Sequence, residues 1–233
     1  MKLKTSTIIY GLVTIVFLVI SVLFGFTIVT IEEAAETVES EAFNPVDYVD
    51  SIWESKLVPA FYENSVDLDL ILSELETDVN GAVAKEDLIW VTEKYGLITV
   101  GEAHVYKVSG SGKIVSVNAD TSLGTAVVEL EGYDGPVSVQ LYIGTRIPSD
   151  DTSVRDAVGF ISFGDFREQT EYGKAATEIN KRVLSTILGD LDRESLVGKT
   201  ISFKGAYMIR TFNLININMS EINIVPIEIE LSE

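Results

Sequence analysis

The sequence has no cysteine among its 233 residues. Cysteine is required for disulfide bonds, thiolate zinc sites, thiol nucleophiles and lipid-modified cysteines, so all four are excluded for this sequence. A domain without these supports has to be held together by its hydrophobic core. The apolar content of 46% is sufficient to form one.

Histidine and positive charge are also scarce. There is one histidine, His104, and 17 lysines and arginines stand against 36 acidic residues, which gives a net charge of −19. Such a surface repels phosphate backbones, so we predict no nucleic-acid partner. No G-x-S-x-G motif accompanies His104, and we interpret this residue as a half-exposed strand residue. Neither a complete metal-ligand set nor a cofactor motif is visible, so we predict no metal and no cofactor.

The longest uncharged run is Thr7–Ile31, which has 25 residues. At ~1.5 Å rise per residue a helix of this length exceeds the ~30 Å hydrocarbon core of a membrane. Lysines precede the run and acidic residues follow it, which favours a cytoplasmic N-terminus. We predict a cytoplasmic segment 1–6 and a retained single-pass anchor 7–31 in the cell membrane, with the remainder periplasmic or extracellular. The alternative, a cleavable signal peptide, has a shorter apolar run and a small-residue cleavage site.

The pattern beyond the anchor predicts an acidic spacer at 32–43 and one extracytoplasmic domain at 44–233. Helices are predicted within 44–95, beginning at Asn44-Pro45, because asparagine is a favoured N-cap and proline a favoured first helical residue. From residue 96 the apolar residues alternate instead, which is typical of strands.

The alternating region predicts strands joined by short glycine-containing turns, one of them at Ser109–Gly112. A long helix, opened by a capping box at Asp165 and ending at Leu188, separates the first four strands from the last strands. Pro226 favours an edge position for the final strand. The predicted strands cover 97–108, 113–119, 125–131, 137–143, 200–209 and 222–231.

This order predicts an α+β fold in which short helices precede an antiparallel OB-like β-barrel at 96–233, with one long helix inserted between strands. The alternative is an open α+β sheet with helices on one face.

The segment Val154–Tyr172 is the candidate site. Aromatic rings alternate there with hydrogen-bonding side chains, as contacts with carbohydrate or protein require. The candidate binding residues are Arg155, Asp156, Asp165, Gln169 and Tyr172, and no catalytic residue is predicted. In the alternative interpretation Phe160, Phe163 and Phe166 belong to the core, and Arg155 only pairs with a carboxylate.

Three groups of residues carry a resemblance to a known family. They are Phe43-Asn44-Pro45 with Tyr48-Val49 and Ile52-Trp53; Arg155-Asp156-Ala157 with Phe160-Ile161-Ser162-Phe163, Asp165-Phe166, Gln169 and Glu171-Tyr172; and Val197-Gly198-Lys199 with Phe203 and Gly205-Ala206. Together they make the chain resemble a domain-of-unknown-function family of predicted periplasmic lipoproteins. Members of that family carry a lipobox cysteine, and Phe26 stands in its place here.

The resemblance implies a function, because members of the family are typically encoded beside ribose-type sugar ABC transporters. We therefore expect a non-enzymatic, membrane-tethered accessory protein that works with a sugar ABC importer. Its expected partners are the permease, the substrate-binding protein or a sugar. One alternative is a carbohydrate-active enzyme using paired carboxylates, which Asp150, Asp151 and other acids of this region could supply. A second alternative is a structural envelope protein.

Overall fold

The computed structural model describes residues 5–24, 43–99 and 101–232. The chain divides into two units, Met1–Phe43 and Asn44–Glu233. In the first unit, helix α1 runs over Thr5–Phe24. No helix in the described ranges combines the length and apolarity needed to cross a membrane. Residues 25–31 of the predicted anchor, and the predicted spacer as far as residue 42, lie outside the described residues.

The second unit opens with a helical segment capped by Asn44, as predicted. The Asn44 side-chain oxygen accepts a hydrogen bond from the backbone N–H of Val46 at 3.0 Å, where helix α2 (Pro45–Ile52) begins. A π-helical turn then leads into helix α3 (Val58–Asn64). Pro59 lies in the first turn of α3, where a proline is tolerated.

Short elements follow before the main sheet. They are β1 (Val66–Asp67), α4 (Leu68–Glu74), β2 (Ala82–Ala84), α5 (Lys85–Tyr95) and β3 (Leu97–Thr99). Strand β2 pairs with a later short strand, β8 (Asn216–Asn218), in a separate two-stranded sheet.

Five longer strands pair in a closed ring. Strand β4 pairs with β5, β5 with β6, β6 with β9, β9 with β7, and β7 again with β4. All these pairs are antiparallel except β6–β9, which is parallel and departs from the antiparallel prediction. A ring of this kind is not expected for the alternative open sheet. The strands are β4 (Ala103–Asn118), β5 (Thr125–Leu130), β6 (Ser138–Tyr142), β7 (Thr200–Arg210) and β9 (Glu221–Ser232).

The predicted turn at Ser109–Gly112 is wrong, because this segment lies inside the 16-residue strand β4. Gly112 pairs with Leu130 on one side and Ile201 on the other. A Cβ atom on Gly112 would lie 2.2 Å from the backbone oxygen of Glu129. The glycine therefore serves the close approach of the neighbouring strand and does not form a turn.

The predicted long helix lies where expected, between β6 and β7, although it begins later. A short helix α6 (Ser153–Ala157) precedes it, and the long helix α7 covers Gln169–Thr186. Pro226 is buried inside β9, a strand that pairs with both β6 and β7 and is therefore not an edge strand. Pairing of β9 with β6 ends at Ile224, so the N–H that proline lacks is not required by that neighbour.

The buried side chains form two clusters. One lies within the strand ring and includes Tyr106, Leu141 and Ile224. The other lies between helices and the outside of the ring and includes Trp53 and Ile179. Each fully buried aliphatic or aromatic side chain contributes about 1.5–3 kcal/mol, so these clusters fix α6 and α7 against the ring. The candidate segment is held on these two helices.

Candidate functional site

Four of the five candidate residues line one cleft of about 750 Å³, which we call the aromatic cleft. Helix α6 supplies two of them and the first turn of α7 supplies the other two. The fifth, Asp165, lies in the connection between these helices. The residues lining the cleft are Arg155, Asp156, Gln169 and Tyr172, together with Ile98, Thr99, Thr152, Ser162, Phe163 and Gly173.

Arg155 and Asp156 form a buried ion pair, with side chains only 8% and 6% exposed. The Arg155 Nε donates to Asp156 Oδ1 at 2.8 Å, and Nη2 lies 2.7 Å from the same oxygen. The Arg155 Nη1 also donates to the backbone oxygen of Tyr172 at 3.1 Å, which ties α6 to α7. The pair therefore lines the cleft and also links α6 to α7.

The carboxylate of Asp156 is saturated by further donors. The Thr152 hydroxyl donates to Oδ2 at 2.6 Å, and the Tyr172 hydroxyl donates to Oδ1 at 3.0 Å. A carboxylate that accepts this many hydrogen bonds is poorly placed to exchange protons with a substrate. Its role in the cleft is to hold the surrounding groups in position.

The ring of Tyr172 is fixed between cation and aromatic neighbours. The central carbon of the Arg155 guanidinium lies 3.5 Å from the ring centroid, and the Phe163 ring meets it edge-on at 5.8 Å. Burial, followed by the nearby Asp156 carboxylate, raises the pKa of Tyr172 to about 12. The hydroxyl therefore remains protonated at physiological pH and acts as a hydrogen-bond donor.

Asp165 is exposed and is not the N-terminal cap of the long helix, contrary to the prediction. Its Oδ2 accepts hydrogen bonds from the backbone N–H of Ser162 at 2.8 Å and from the Ser162 hydroxyl at 3.1 Å. These bonds form a capping box around a single 3₁₀ turn, Phe163–Asp165. Asp165 thus shapes the rim of the aromatic cleft without lining it.

The sequence left open whether the three phenylalanines form a contact surface or belong to the core, and the structure shows some of each. Phe163 is 52% exposed and lines the cleft, and Phe160 is 38% exposed. Phe166 is half-buried and packs against Tyr48, with ring centroids 5.3 Å apart. The segment therefore supplies both core packing and an exposed apolar surface.

His104 is buried, which corrects its interpretation as half-exposed. Its Nδ1 lies 2.7 Å from the Thr92 hydroxyl, which donates to the backbone oxygen of Leu88. Burial and the positive charge of Lys85 lower the pKa of His104. The imidazole is a neutral core group and does not face the aromatic cleft.

Two more clefts, of about 480 Å³ each, were not found from the sequence. They adjoin, because Tyr142, Glu221 and Asn223 line both. Burial raises the pKa of Asp151, which lines one of them. The alternation of polar and apolar residues along β6 was visible in the sequence. The alignment of β6 with β9 was not, because it depends on parallel pairing between residues more than 80 positions apart along the chain.

The described ranges contain no group of three or more histidine, cysteine or acidic side chains arranged to hold a metal ion. The aromatic cleft combines apolar rings with neutral hydrogen-bonding groups, and its one ion pair is internally satisfied. Such a lining suits the binding of an uncharged, partly apolar surface.

Comparison with known proteins gives two positive findings. A crystal structure described as an OB-fold protein from Thermotoga maritima is similar, with a TM-score of 0.61 and 21% identity over 82% of this chain and 100% of that one. At this identity the likeness concerns the fold alone, and it agrees with the predicted OB-like architecture. No curated protein matches the chain significantly. A family model described as "Predicted periplasmic lipoprotein (DUF2291)" matches residues 14–230. The chain therefore belongs to the family of predicted periplasmic lipoproteins DUF2291.

Proposed function

We propose that this chain is a non-enzymatic accessory protein that works outside the cytoplasm beside a sugar importer, and that it binds through the aromatic cleft. The observation that carries the proposal is the saturation of the Asp156 carboxylate by Arg155, Thr152 and Tyr172. A catalytic acid or base needs a proton-exchanging group within reach of the substrate. In this cleft the acidic group is committed to structure, whereas Phe163 and Gln169 remain available for contact.

The choice of partner rests on the family resemblance and on the chemistry of the cleft. The ring of Phe163 offers an apolar face, and the Gln169 side chain offers both a hydrogen-bond donor and an acceptor. These groups suit a sugar or a protein surface with few charges. The permease and the substrate-binding protein of the importer are the proposed protein partners.

Attachment to the membrane is the role we propose for helix α1. Its apolar side chains are half exposed or more from Leu12 to Ile20. Contiguous exposed apolar surface of this kind marks a membrane or protein contact. Carbonate extraction of native membranes should leave the full-length chain in the membrane fraction, whereas a variant lacking residues 1–43 should be released.

A carbohydrate-active enzyme is the second candidate, and one observation favours it. The raised pKa of Asp151, caused by burial, would keep this carboxyl protonated more readily than an exposed one. Incubating the protein with neutral oligosaccharides and measuring new reducing ends separates the candidates, because only the enzyme releases them. An Asp151→Asn variant would then abolish the release.

Co-purification tests the main proposal. The full-length chain should retain the permease or the substrate-binding protein when purified from its native membrane. A Phe163→Ala/Gln169→Ala variant should lose at least tenfold of that partner with an unchanged melting temperature. Thr177→Ala, on the exposed side of the same helix, is the matched control and should retain it. Equal retention by the variant and the control would refute a role for the cleft.

A further inference from the structure

The outer face of strands β5, β6 and β9 forms a second polar surface, separate from the aromatic cleft. We call it the amide face and define it by Gln140, Tyr142 and Asn223 with Thr125, Val127 and Glu221. These side chains alternate with buried ones along each strand, so they share one side of the sheet. Two adjoining clefts follow the face and share Tyr142, Glu221 and Asn223.

Strand register places complementary groups side by side. Gln140 pairs with Val127 on β5 and with Asn223 on β9. Tyr142 pairs with Thr125 in the next row. A row of two carboxamides therefore crosses the sheet beside a row of two hydroxyl groups, with all four side chains half-buried.

The chemistry of these groups is that of hydroxyl recognition. Each carboxamide can donate and accept hydrogen bonds, as a sugar hydroxyl does. Asn223 donates to Glu221 Oε1 at 2.9 Å, which orients its amide and leaves its oxygen to accept. The flat ring of Tyr142 can pack against the apolar face of a sugar ring while its hydroxyl hydrogen-bonds.

The charge around the amide face disfavours anions. Glu221 and Asp150 line the clefts, and the only cation among the described residues lining them, Arg210, is paired with Asp150 at 3.1 Å. A nucleic-acid strand would meet repulsion with no basic group free to neutralise it. The two adjoining clefts extend along the face, so an elongated ligand uses more of it than a monosaccharide.

We propose that the amide face binds an uncharged, linear oligosaccharide across strands β5, β6 and β9. This inference does not depend on the role of the aromatic cleft. Gln140, Asn223 and Tyr142 are the specificity-determining residues, because the two carboxamides supply hydrogen-bond donors and acceptors and the tyrosine supplies a flat ring with a hydroxyl group.

Isothermal titration calorimetry of the full-length chain in detergent tests the proposal. The probes are five neutral hexasaccharides: malto-, cello-, xylo-, manno- and N-acetylchito-hexaose, with glucose and a ten-residue oligothymidine as comparisons. At least one hexasaccharide should bind, and glucose should bind at least tenfold more weakly. Failure of all five hexasaccharides, or tighter binding of the oligothymidine, overturns the proposal.

Variants then locate the binding. Gln140→Ala/Asn223→Ala should weaken hexasaccharide affinity at least tenfold, because two hydrogen bonds are lost. Tyr142→Phe keeps the packing and should weaken it about threefold, so it serves as the readout if the double variant does not fold. Thr177→Ala, on the exposed side of α7, should change affinity less than twofold. Unchanged affinity in the face variants, or an equal loss in Thr177→Ala, contradicts the assignment.

Discussion

Replacing Arg155 by alanine should strongly destabilise the domain. The substitution removes the two nitrogens that contact Asp156 Oδ1 and the nitrogen that donates to the Tyr172 backbone oxygen. It leaves the buried Asp156 carboxylate with only two hydroxyl donors. Removing one partner of a buried ion pair costs about 3–5 kcal/mol, a large fraction of the ~5–15 kcal/mol that stabilises a typical domain.

Arg182→Ala is the matched control. Arg182 lies on α7 and pairs with Asp50, but its side chain is 28% exposed and that of Asp50 is 53% exposed. Exposed ion pairs contribute about 0–1 kcal/mol, so the control should lose less than 1 kcal/mol. The comparison separates the effect of burial from that of losing an arginine.

Urea unfolding followed by tryptophan fluorescence measures the loss in free energy of unfolding for both variants. Each loss is calculated from the shift in the transition midpoint, with the dependence of the free energy on urea concentration unchanged. An apolar double variant, Arg155→Met/Asp156→Leu, should recover most of the stability because it removes both charges together. A loss for Arg155→Ala within 1 kcal/mol, equal to that of Arg182→Ala, would refute a buried, structural ion pair. A double variant no more stable than Arg155→Ala would refute the explanation by an unpaired charge.

Two further predictions concern the strand ring and the buried histidine. Gly112→Ala should reduce the free energy of unfolding by about 1–3 kcal/mol or more, because its Cβ would meet the Glu129 backbone oxygen at 2.2 Å. In the control Gly173→Ala the new Cβ meets nothing within 4 Å, so this substitution should stabilise helix α7 by about 0.5–1 kcal/mol. Equal effects of the two substitutions in urea unfolding would contradict this. The folded-state pKa of His104 is lowered by burial and Lys85, so the unfolded chain binds the proton first and stability should fall as pH drops below about 6.5. His104→Asn should flatten that dependence between pH 7 and 5.5, and an unchanged slope would show that another group causes it.

Local patterns predicted the elements near the site, whereas long-range pairing could not be predicted. Asn44 and the long helix were recognised because capping and helical periodicity act over a few residues. Arg155 and Tyr172 were grouped because they are close in sequence, yet nothing in the sequence shows that the Arg155 guanidinium is buried. The glycines of β4 looked like a turn, because glycine serves turns and close strand approach equally well. The amide face depends on the register between Gln140 and Asn223, which no local pattern records.

Photo-cross-linking from position 169 tests the central claim most directly. A photoreactive amino acid replaces Gln169 in the full-length chain, and a second protein carries it at Thr177 on the exposed side of α7. After irradiation of native membranes, mass spectrometry should identify the permease or the substrate-binding protein of a sugar importer joined to position 169 and not to position 177. Equal adducts at both positions, or adducts at 169 that contain no importer subunit, would contradict an accessory role carried by the aromatic cleft.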